Sequence, residues 1–256
     1  MAYEQIILER EGPIAILTLY QPEKLNALSG QMSAEIGLAT EELQADREIR
    51  AVIMTGAGRG FCSGADLTSM GGSHQRAKTE VMGGVVMQIR GLNKPVIAAI
   101  NGVAAGAGFG LALASDIMIA SESARFSSIF IKRALVPDYG VSYFLPRWVG
   151  LHKAIEMVYT GDMVDAQEAY RIGLVSKVVP ADQLMATAKE LAQRLAASAP
   201  LAIQMCKPIM YMSLDNNLDL QLHREHWSQI ICLASDDFKE SVQAFFEKRD
   251  PKFTGN

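Results

Sequence analysis

A glycine-rich stretch over residues 94–121 constrains the fold of this chain more than any other segment. It reads KPVIAAINGVAAGAGFGLALASDIMIAS. Residues 95–100 form a short, β-branched apolar run that ends at an Asn-Gly turn signal, so they predict a buried strand. A glycine cluster then leads into residues 111–114, which favour a helix, and residues 117–120 predict a second strand. The stretch thus indicates an α/β fold with a glycine-rich turn between a strand and a helix.

The glycine cluster comprises Gly106, Gly108 and Gly110 at the start of the predicted helix. Glycines there let another atom approach the main chain, and the first N–H groups of a helix have no partner within it. Together with the helix dipole, such a turn suits a negatively charged oxygen. The other interpretation is that small residues only allow the helix to pack tightly on the sheet. This stretch alone leaves both interpretations open.

Three other kinds of site fit the stretch poorly. A dinucleotide fingerprint needs a third glycine where Leu111 stands, and the Gly-Lys-Ser/Thr of a phosphate-binding loop is absent. The lack of charge between Pro95 and Ser115 suggests a membrane span. However, the Asn-Gly turn and the glycines divide that run into a strand and a short helix, so a span is not expected.

The composition narrows the class of protein. Of the 256 residues, 49% are hydrophobic and 20% are charged, with a formal net charge of −4. These values are ordinary for a soluble globular chain with a substantial core. The acidic balance and the lack of a Lys/Arg cluster argue against a nucleic-acid surface.

The cysteines and the N-terminus indicate the compartment. Cys62, Cys206 and Cys232 are odd in number and form no C-x-x-C pair, which predicts reduced thiols in a cytoplasmic protein. Glu4 and Glu9 stand in an N-terminus without an apolar core, so no signal peptide is expected.

Strands and helices alternate in the first part of the chain, whereas the last part is almost entirely helical. The pattern predicts strands at 3–9, 14–20, 51–54 and 174–179, and C-terminal helices at 182–197, 199–213, 216–234 and 236–248. A first helix starts at Ser29 or Ser33 and ends near Asp46, and its inner side is expected to carry Met32, Ile36, Leu38 and Leu43. The change of pattern divides the chain into a core of residues 1–199 and a helical region of residues 200–256.

Residues 68–93 are less regular. Paired glycines there bracket a segment that contains methionine, which is typical of a movable lid or an adaptable pocket wall. The alternative is a surface loop that leads into a helix.

Asp138 is the main candidate for proton transfer. It lies between Pro137 and Tyr139-Gly140, just before a predicted helix. It could cap that helix, or it could act as an acid/base on a turn beside an apolar pocket, where burial raises the pKa of a carboxyl group.

Other polar residues give weaker signals. Ser63 lies in GFCSG, which is not the nucleophile elbow of hydrolases. His223 and His226 are three apart on a helix, but no third metal ligand is evident, so an ordinary helix face is favoured. Asp66 and Asp116 are expected to hold main-chain N–H groups rather than to do chemistry.

Four segments together resemble the enoyl-CoA hydratase/isomerase (crotonase) superfamily. They are PEKLNAL at 22–28, FCSGADL at 61–67, the stretch 94–121, and VPDYG with LPR within 136–147. The similarity covers essentially the whole chain in order, and the two glycine loops in combination are highly specific.

The resemblance implies a crotonase-like α/β fold, a spiral of repeated ββα units followed by a C-terminal helical region that builds a trimer, commonly paired into a hexamer. It implies an acyl-CoA thioester as substrate, so that coenzyme A enters with the substrate. Neither a separate cofactor, a metal, a membrane nor a nucleic acid is expected as a partner.

By position, the resemblance makes the main-chain N–H groups of Ala65 and Ala107 an oxyanion hole. Family members usually have glycine at the second position, and alanine still supplies the N–H. Such donors can each contribute roughly 3–4 kcal/mol of transition-state stabilisation. Implied CoA- and substrate-binding residues are Lys24, Ala27, Arg59, Ser63, Ala65, Asp66, Leu67, Gly106, Phe130, Tyr139, Phe245 and Lys248. Of these, Lys24 and Arg59 should lie near the phosphates, and a neighbouring subunit should supply Phe245 and Lys248.

The sequence departs from the family pattern at the acidic residues that act in catalysis. Typical hydratases carry two glutamates that activate water, and at the matching positions this chain has Gly110 and Phe130. Asp138 stands where related double-bond isomerases and a dehalogenase-like branch place their acid. That branch pairs its aspartate with a tryptophan where Phe130 stands, which counts against it. The expected activity is an enoyl-CoA double-bond shift with Asp138 as the acid/base. The alternatives are a hydratase that uses Asp138 and one ordered water, and a non-catalytic CoA-ester-binding homologue.

Overall fold

The computed structural model describes residues 3–66 and 83–256, and ten strands and ten helices lie within these ranges. The strands are β1 (Ile6–Glu11), β2 (Ile14–Leu19), β3 (Ala51–Gly56), β4 (Gly60–Cys62), β5 (Val96–Ile100), β6 (Val103–Ala105), β7 (Ile117–Ser121), β8 (Arg125–Ser127), β9 (Val164–Asp165) and β10 (Lys177–Val179). The helices are α1 (Gly30–Ala45), α2 (Gly84–Gly91), α3 (Ala107–Leu113), α4 (Val141–Val149), α5 (Leu151–Thr160), α6 (Ala166–Arg171), α7 (Leu184–Ala196), α8 (Pro200–Met212), α9 (Leu218–Leu233) and α10 (Asp236–Glu247).

The larger sheet has the strand order β1-β2-β3-β5-β7-β10. β1 and β2 form an antiparallel hairpin, and the later strands run parallel to β2. Along β5 the side chains alternate: Ile97 and Ala99 pack toward α7, whereas Ala98 and Ile100 join the core on the other face. Both faces of this sheet are therefore buried at β5, which explains the continuous apolar sequence of that strand.

A second, four-stranded sheet has the order β4-β6-β8-β9, with β4, β6 and β8 parallel. Each of these three short strands follows a long strand of the larger sheet after a turn. The first two turns require glycine, because a Cβ at Gly56 would lie 2.2 Å from the Gly60 oxygen and one at Gly102 would lie 2.0 Å from the Arg59 oxygen. The repetition of long strand, short strand and helix confirms the predicted spiral of ββα units.

Most, but not all, of the residues predicted for the inner side of helix α1 are buried. Ser29, not Ser33, caps it, since the Ser29 hydroxyl accepts from the N–H of Met32 at 3.0 Å. Met32, Ile36 and Leu43 are buried as expected, but the prediction for Leu38 was wrong because its side chain is 44% exposed. The buried positions follow a helical repeat of three to four residues, and Leu38 falls outside that repeat.

Other boundaries also differ from the prediction. The strand expected at 3–9 covers Ile6–Glu11. The strand expected at 174–179 covers only Lys177–Val179. The lid expected at 68–93 lies largely outside the described residues, and its last part forms α2, whose Val85, Val86 and Ile89 are buried. The choice between a movable lid and a surface loop concerns mainly residues outside the described ranges, and both stay predictions.

The C-terminal helices α8 and α9 bury no residue within the described part of the chain. A polar cluster attaches α8 to the core: Lys207 pairs with Asp116 at 2.9 Å, and the Tyr211 hydroxyl donates to Asp116 at 2.5 Å. Asp116 also accepts from the N–H of Val96 at 2.7 Å, as the sequence predicts. No helix among the described residues is long and apolar enough to cross a membrane.

Candidate active site

The loop after β4 presents the N–H group of Ala65. A short parallel bridge joins this loop to Leu28, whose N–H donates to the Gly64 oxygen at 2.7 Å while its own oxygen accepts from the N–H of Asp66 at 2.9 Å. In this pattern the two hydrogen bonds to Leu28 are formed by the residues before and after Ala65, not by Ala65 itself. Its N–H therefore donates to no main-chain oxygen within the described ranges.

The loop after β6 presents the N–H group of Ala107, the first residue of α3. Gly106 before it has a φ of 52°, in the left-handed region that favours glycine. The N–H of Ala107 likewise donates to no main-chain oxygen of the described residues, as expected for the first turn of a helix.

The two loops lie side by side. A Cβ added to Gly64 would lie 3.8 Å from the Ala107 nitrogen and 3.1 Å from the Ala105 oxygen, and Gly64 has a φ of 112°. Glycine is thus needed at position 64 for the close approach of the two main chains. The result is a pair of unpaired N–H donors on neighbouring loops that open on one pocket.

This pocket has a volume of about 200 Å³ in its described part. Its walls come from the start of α1, the two loops, and the segment from the 3-10 turn Ile129–Arg133 to Tyr139. Its lining residues are Leu28, Ser29, Gly30, Ser33, Ser63, Gly64, Ala65, Asp66, Gly106, Ala107, Ile129, Phe130, Arg133, Leu135, Asp138 and Tyr139.

Asp138 lines the same pocket as the two N–H groups. It does not cap α4, whose N-cap is Gly140 without a side-chain hydrogen bond. Its buried Oδ1 atom has no hydrogen-bond partner among the described residues. Burial raises the pKa of the Asp138 carboxyl group above its usual 3.8, because a low-dielectric surrounding disfavours the charged form. The cap interpretation is therefore wrong, and a group able to exchange protons faces the pocket.

Main-chain atoms of Tyr139, the residue after Asp138, fill the space beside Gly110. Gly110 is one of the two positions at which typical hydratases carry a glutamate. A Cβ at Gly110 would lie 2.5 Å from the Tyr139 oxygen. The other missing acid is replaced by Phe130, which is buried. Burial also raises the pKa of the Tyr139 phenol, and the charge of Asp138 adds to this effect.

The chain matches the family model described as enoyl-CoA hydratase/isomerase over residues 9–256. The chain belongs to the enoyl-CoA hydratase/isomerase family. It is 37% identical to 1,2-epoxyphenylacetyl-CoA isomerase of Escherichia coli, over 98% of this chain and 99% of that protein. It is also 37% identical to short-chain-enoyl-CoA hydratase of Clostridium acetobutylicum, over 97% of both chains. A solved structure of enoyl-CoA hydratase from Bacillus anthracis superimposes with a TM-score of 0.92 at 33% identity, covering 99% of this chain and 100% of that one.

The loop that the family resemblance assigns to CoA is held by a buried asparagine. Asn26 donates to the oxygens of Ala57 and Gly60 at 2.9 and 2.7 Å and accepts from the N–H of Gln21 at 2.9 Å. Lys24 pairs with Asp66 at 3.0 Å, with 46% of the lysine side chain exposed. The Asp66 carboxylate thus forms an ion pair with Lys24, and its expected contact with main-chain N–H groups stays a prediction.

Several family-derived binding residues do not line the described pocket of this chain: Lys24, Ala27, Arg59, Phe245 and Lys248. Arg59 and Lys248 are exposed, and Phe245 is 78% exposed on α10. Leu67 lies outside the described residues. By contrast, Ser63, Asp66, Gly106, Phe130 and Tyr139 line the pocket as expected.

Sequence reasoning missed three polar residues of the pocket lining. Ser29 and Ser33 were considered only as helix caps, and Arg133 was not considered. The signal available was the position of Arg133 in the segment that also carries Phe130 and Asp138.

Among the described residues, no cluster of His, Cys, Asp and Glu could hold a metal ion. His223 Nδ1 instead lies 2.8 Å from the oxygen of Asp219 in its own helix, which agrees with an ordinary helix face. Cys62 is fully buried, and burial raises the pKa of its thiol to about 12. This thiol is therefore kept protonated and unreactive.

Proposed function

We propose that this acyl-CoA-processing family member is an enoyl-CoA isomerase in which Asp138 moves a proton between two carbons of the acyl chain. The thioester oxygen lies between the N–H groups of Ala65 and Ala107. Asp138 removes a proton from the carbon next to the thioester, and the electron pair is delocalised into a dienolate. The proton then returns two carbons away, so the double bond shifts by one position without loss or gain of atoms.

The observation that carries this proposal is that Asp138 is positioned as the acid/base and neither glutamate position of typical hydratases holds an acid. The other carboxyl group of the described lining, Asp66, is paired with Lys24. Asp138 shares the pocket with the two N–H groups, and the main chain of Tyr139 excludes any side chain at position 110. Phe130 contributes an apolar wall where a second acid would stand. A single acid/base suffices for a proton shift, whereas the addition of water in this family uses two.

The geometry supports removal of a proton from the carbon next to the thioester. Two unpaired main-chain donors stabilise a developing enolate oxygen, and each can lower the barrier by roughly 3–4 kcal/mol. The raised pKa of Asp138 suits a base that must also return its proton, since general acid–base catalysis is most efficient when the pKa lies near the working pH. The reaction needs neither a metal nor a redox cofactor.

The described part of the pocket has room for a short or single-ring acyl group. Its described part measures about 200 Å³, and a cavity of roughly 150 Å³ accommodates one benzene ring. This fits the names of two relatives, which refer to short-chain enoyl-CoA and to epoxyphenylacetyl-CoA.

The second candidate is hydration of an enoyl-CoA by Asp138 and one ordered water. It is favoured by the relative that is a short-chain-enoyl-CoA hydratase. A third, non-catalytic possibility is a protein that only binds CoA esters.

Assays of 3-hexenoyl-CoA isomerisation and crotonyl-CoA hydration on the same protein separate these functions. We expect the isomerisation to dominate and Asp138→Asn to lower its kcat by about 10²–10⁴, the usual contribution of general acid–base catalysis. Asp182→Asn, a change at a turn outside the pocket, is the matched control and should leave kcat unchanged.

A second readout follows the proton itself. In D2O, exchange of the Asp138 proton with solvent should place deuterium on the carbon that receives the proton, two carbons beyond the one next to the thioester, and Asp138→Asn should not do so. Dominant hydration would favour the second candidate, and tight thioester binding without any exchange or turnover would favour the third.

We also propose a homotrimer, or two trimers paired into a hexamer, with α9 at the subunit contact. The support is a set of exposed apolar residues on α9: Leu218, Leu222, Trp227, Ile230 and Ile231. Monomeric proteins rarely expose so many on one element. A neighbouring subunit would then bring its α10, with Phe245 and Lys248, toward the CoA. Analytical ultracentrifugation of the wild type and of Trp227→Lys tests this, with a trimer or hexamer expected only for the wild type.

A further inference from the structure

Arg133 is a charged residue on the lining of the pocket. It ends the 3-10 turn Ile129–Arg133, and the chain after it is fixed by two hydrogen bonds, from the N–H of Ala134 to the Ile131 oxygen and from the N–H of Leu135 to the Phe130 oxygen, both at 3.1 Å. The position of Arg133 relative to Phe130 and the pocket is therefore set by the main chain. Within the described lining it is the only cationic side chain.

Arg133 and its neighbour Lys132 differ in their partners. Lys132 does not line the pocket and pairs with Asp162 at 2.9 Å. Arg133 forms no ion pair, hydrogen bond or ring contact with any described residue. A guanidinium group carries five donors in a planar fork that matches a carboxylate, so an unpaired one on a pocket wall is suited to an anionic group of the ligand.

Arg133 is not an electrostatic partner of the Asp138 carboxyl group. No ion pair joins Arg133 to Asp138 within the described ranges, and Arg133 is not among the groups that change the pKa of Asp138, which burial raises. A guanidinium close to that carboxyl group would lower its pKa. The charge of Arg133 is therefore available to a different anion in the same pocket.

We infer that Arg133 selects acyl-CoA substrates whose acyl chain ends in a carboxylate, the CoA esters of short dicarboxylic acids. This inference rests on the proposed function, because it places the thioester at Ala65 and Ala107. The hydroxyl groups of Ser29 and Ser33 also line the pocket, and they add neutral hydrogen-bond partners for a polar acyl end. Arg133 is exposed in the free protein, so with a purely apolar acyl chain its guanidinium stays hydrated and adds nothing to binding.

Binding of saturated thioesters tests the inference without any requirement for catalysis. Isothermal titration compares succinyl-, glutaryl- and adipoyl-CoA with butyryl-, pentanoyl- and hexanoyl-CoA, so that each pair differs in a terminal carboxylate against a methyl group. For the best chain length, we expect the wild type to bind the dicarboxylic ester about two- to fivefold more tightly, the range for an ion pair with an exposed guanidinium. Arg133→Met should abolish this preference and leave the Kd of the methyl-ended ester unchanged. Arg133→Lys should retain part of it.

Lys132→Met is the matched control, because it removes one positive charge from the adjacent residue, which does not line the pocket. It should keep the full preference. Equal Kd values within every pair in the wild type would overturn the inference, as would a uniform loss for both members of a pair in Arg133→Met, which would assign Arg133 to the CoA moiety. Failure of every thioester to bind would overturn it as well. Selective binding without turnover would leave the role of Arg133 intact and contradict the proposed isomerase instead.

Discussion

Gly110 and the main chain of Tyr139 occupy adjoining space. A Cβ on Gly110 would lie 2.5 Å from the carbonyl oxygen and 2.6 Å from the Cβ of Tyr139. Tyr139 itself has a φ of 48°, which is uncommon for a residue with a side chain. The turn that carries Asp138 is thus packed directly against α3, and the space that a glutamate at position 110 would need is filled by that turn.

The Gly110–Tyr139 contact predicts a stability effect. Gly110→Ala should lower the free energy of unfolding by about 1–3 kcal/mol or more, because a main-chain oxygen has little freedom to move away from the new methyl group. Urea unfolding measures the change. Gly91→Ala is the control, since a Cβ there meets nothing within 4 Å. It should be neutral or slightly stabilising. Equal stability of the two variants would contradict the close contact.

The N–H group of Ala107 can be removed with little change of structure. Ala107 is the first residue of α3, and proline is well tolerated at the first position of a helix. Ala107→Pro should therefore fold with a similar Tm while the isomerisation kcat falls by about 10²–10³, the usual effect of losing one oxyanion-hole donor.

Ala107→Gly keeps this N–H and serves as the control, with activity close to that of the wild type. An active proline variant would show that the Ala107 N–H does not contact the developing oxyanion.

The Asp138 carboxyl group predicts a pH-dependent stability. Its pKa in the folded protein lies above 3.8 because of burial. Between 3.8 and that raised value the folded state binds more protons than the unfolded state, so stability falls as the pH rises through this window. Asp138→Asn should thus be more stable than the wild type at pH 7, with a rise in Tm of at most about 3 °C, or about 1 kcal/mol. The difference should vanish below about pH 4.

Asp162→Asn provides a control of opposite sign. Lys132 lowers the pKa of Asp162, so Asp162 contributes stability at neutral pH that is lost as the pH falls. Thermal unfolding of both variants between pH 3 and pH 8 measures these slopes. A Tm difference for Asp138→Asn that grows on acidification would contradict the burial of its carboxyl group.

The cluster at Asp116 predicts strong coupling between α8 and the core. The Lys207 side chain is 8% exposed and that of Asp116 is 16% exposed, so removing one partner leaves a largely buried charge. Asp116→Ala should cost about 3 kcal/mol, whereas Asp116→Ala combined with Lys207→Met should cost less. A double-mutant cycle by urea unfolding measures the coupling, and additive single effects would contradict it.

The order of elements could be predicted from the sequence because short-range patterns determine it. The alternation of strands and helices before residue 180, the glycine turns and the four C-terminal helices all appear near their predicted positions. The family resemblance supplied the spiral arrangement. Leu38 shows the limit of local pattern reading, because which side of α1 is buried depends on α2 and on the sheet.

The site was predictable in part. Ala65, Ala107, Asp138, Phe130 and Tyr139 were named from the sequence, and all five line one pocket. The pocket residues Ser29, Ser33 and Arg133 could not be assigned from local signals. Their side chains acquire a role only when the start of α1 and the turn 129–133 lie across from the two glycine loops.

The sequence by itself determined where the main chain turns, which residues carry free N–H groups and which carboxyl group remains. Glycine, proline and helix-start signals are local, and the family resemblance shows that Gly110 and Phe130 stand where typical hydratases carry glutamates. Only the tertiary structure decided that Asp138 does not cap α4, that Tyr139 fills the space at Gly110, and that Arg133 lies on the pocket wall without a described partner. These are contacts between segments distant along the chain, and their geometry follows from the packing of the spiral rather than from any short sequence pattern.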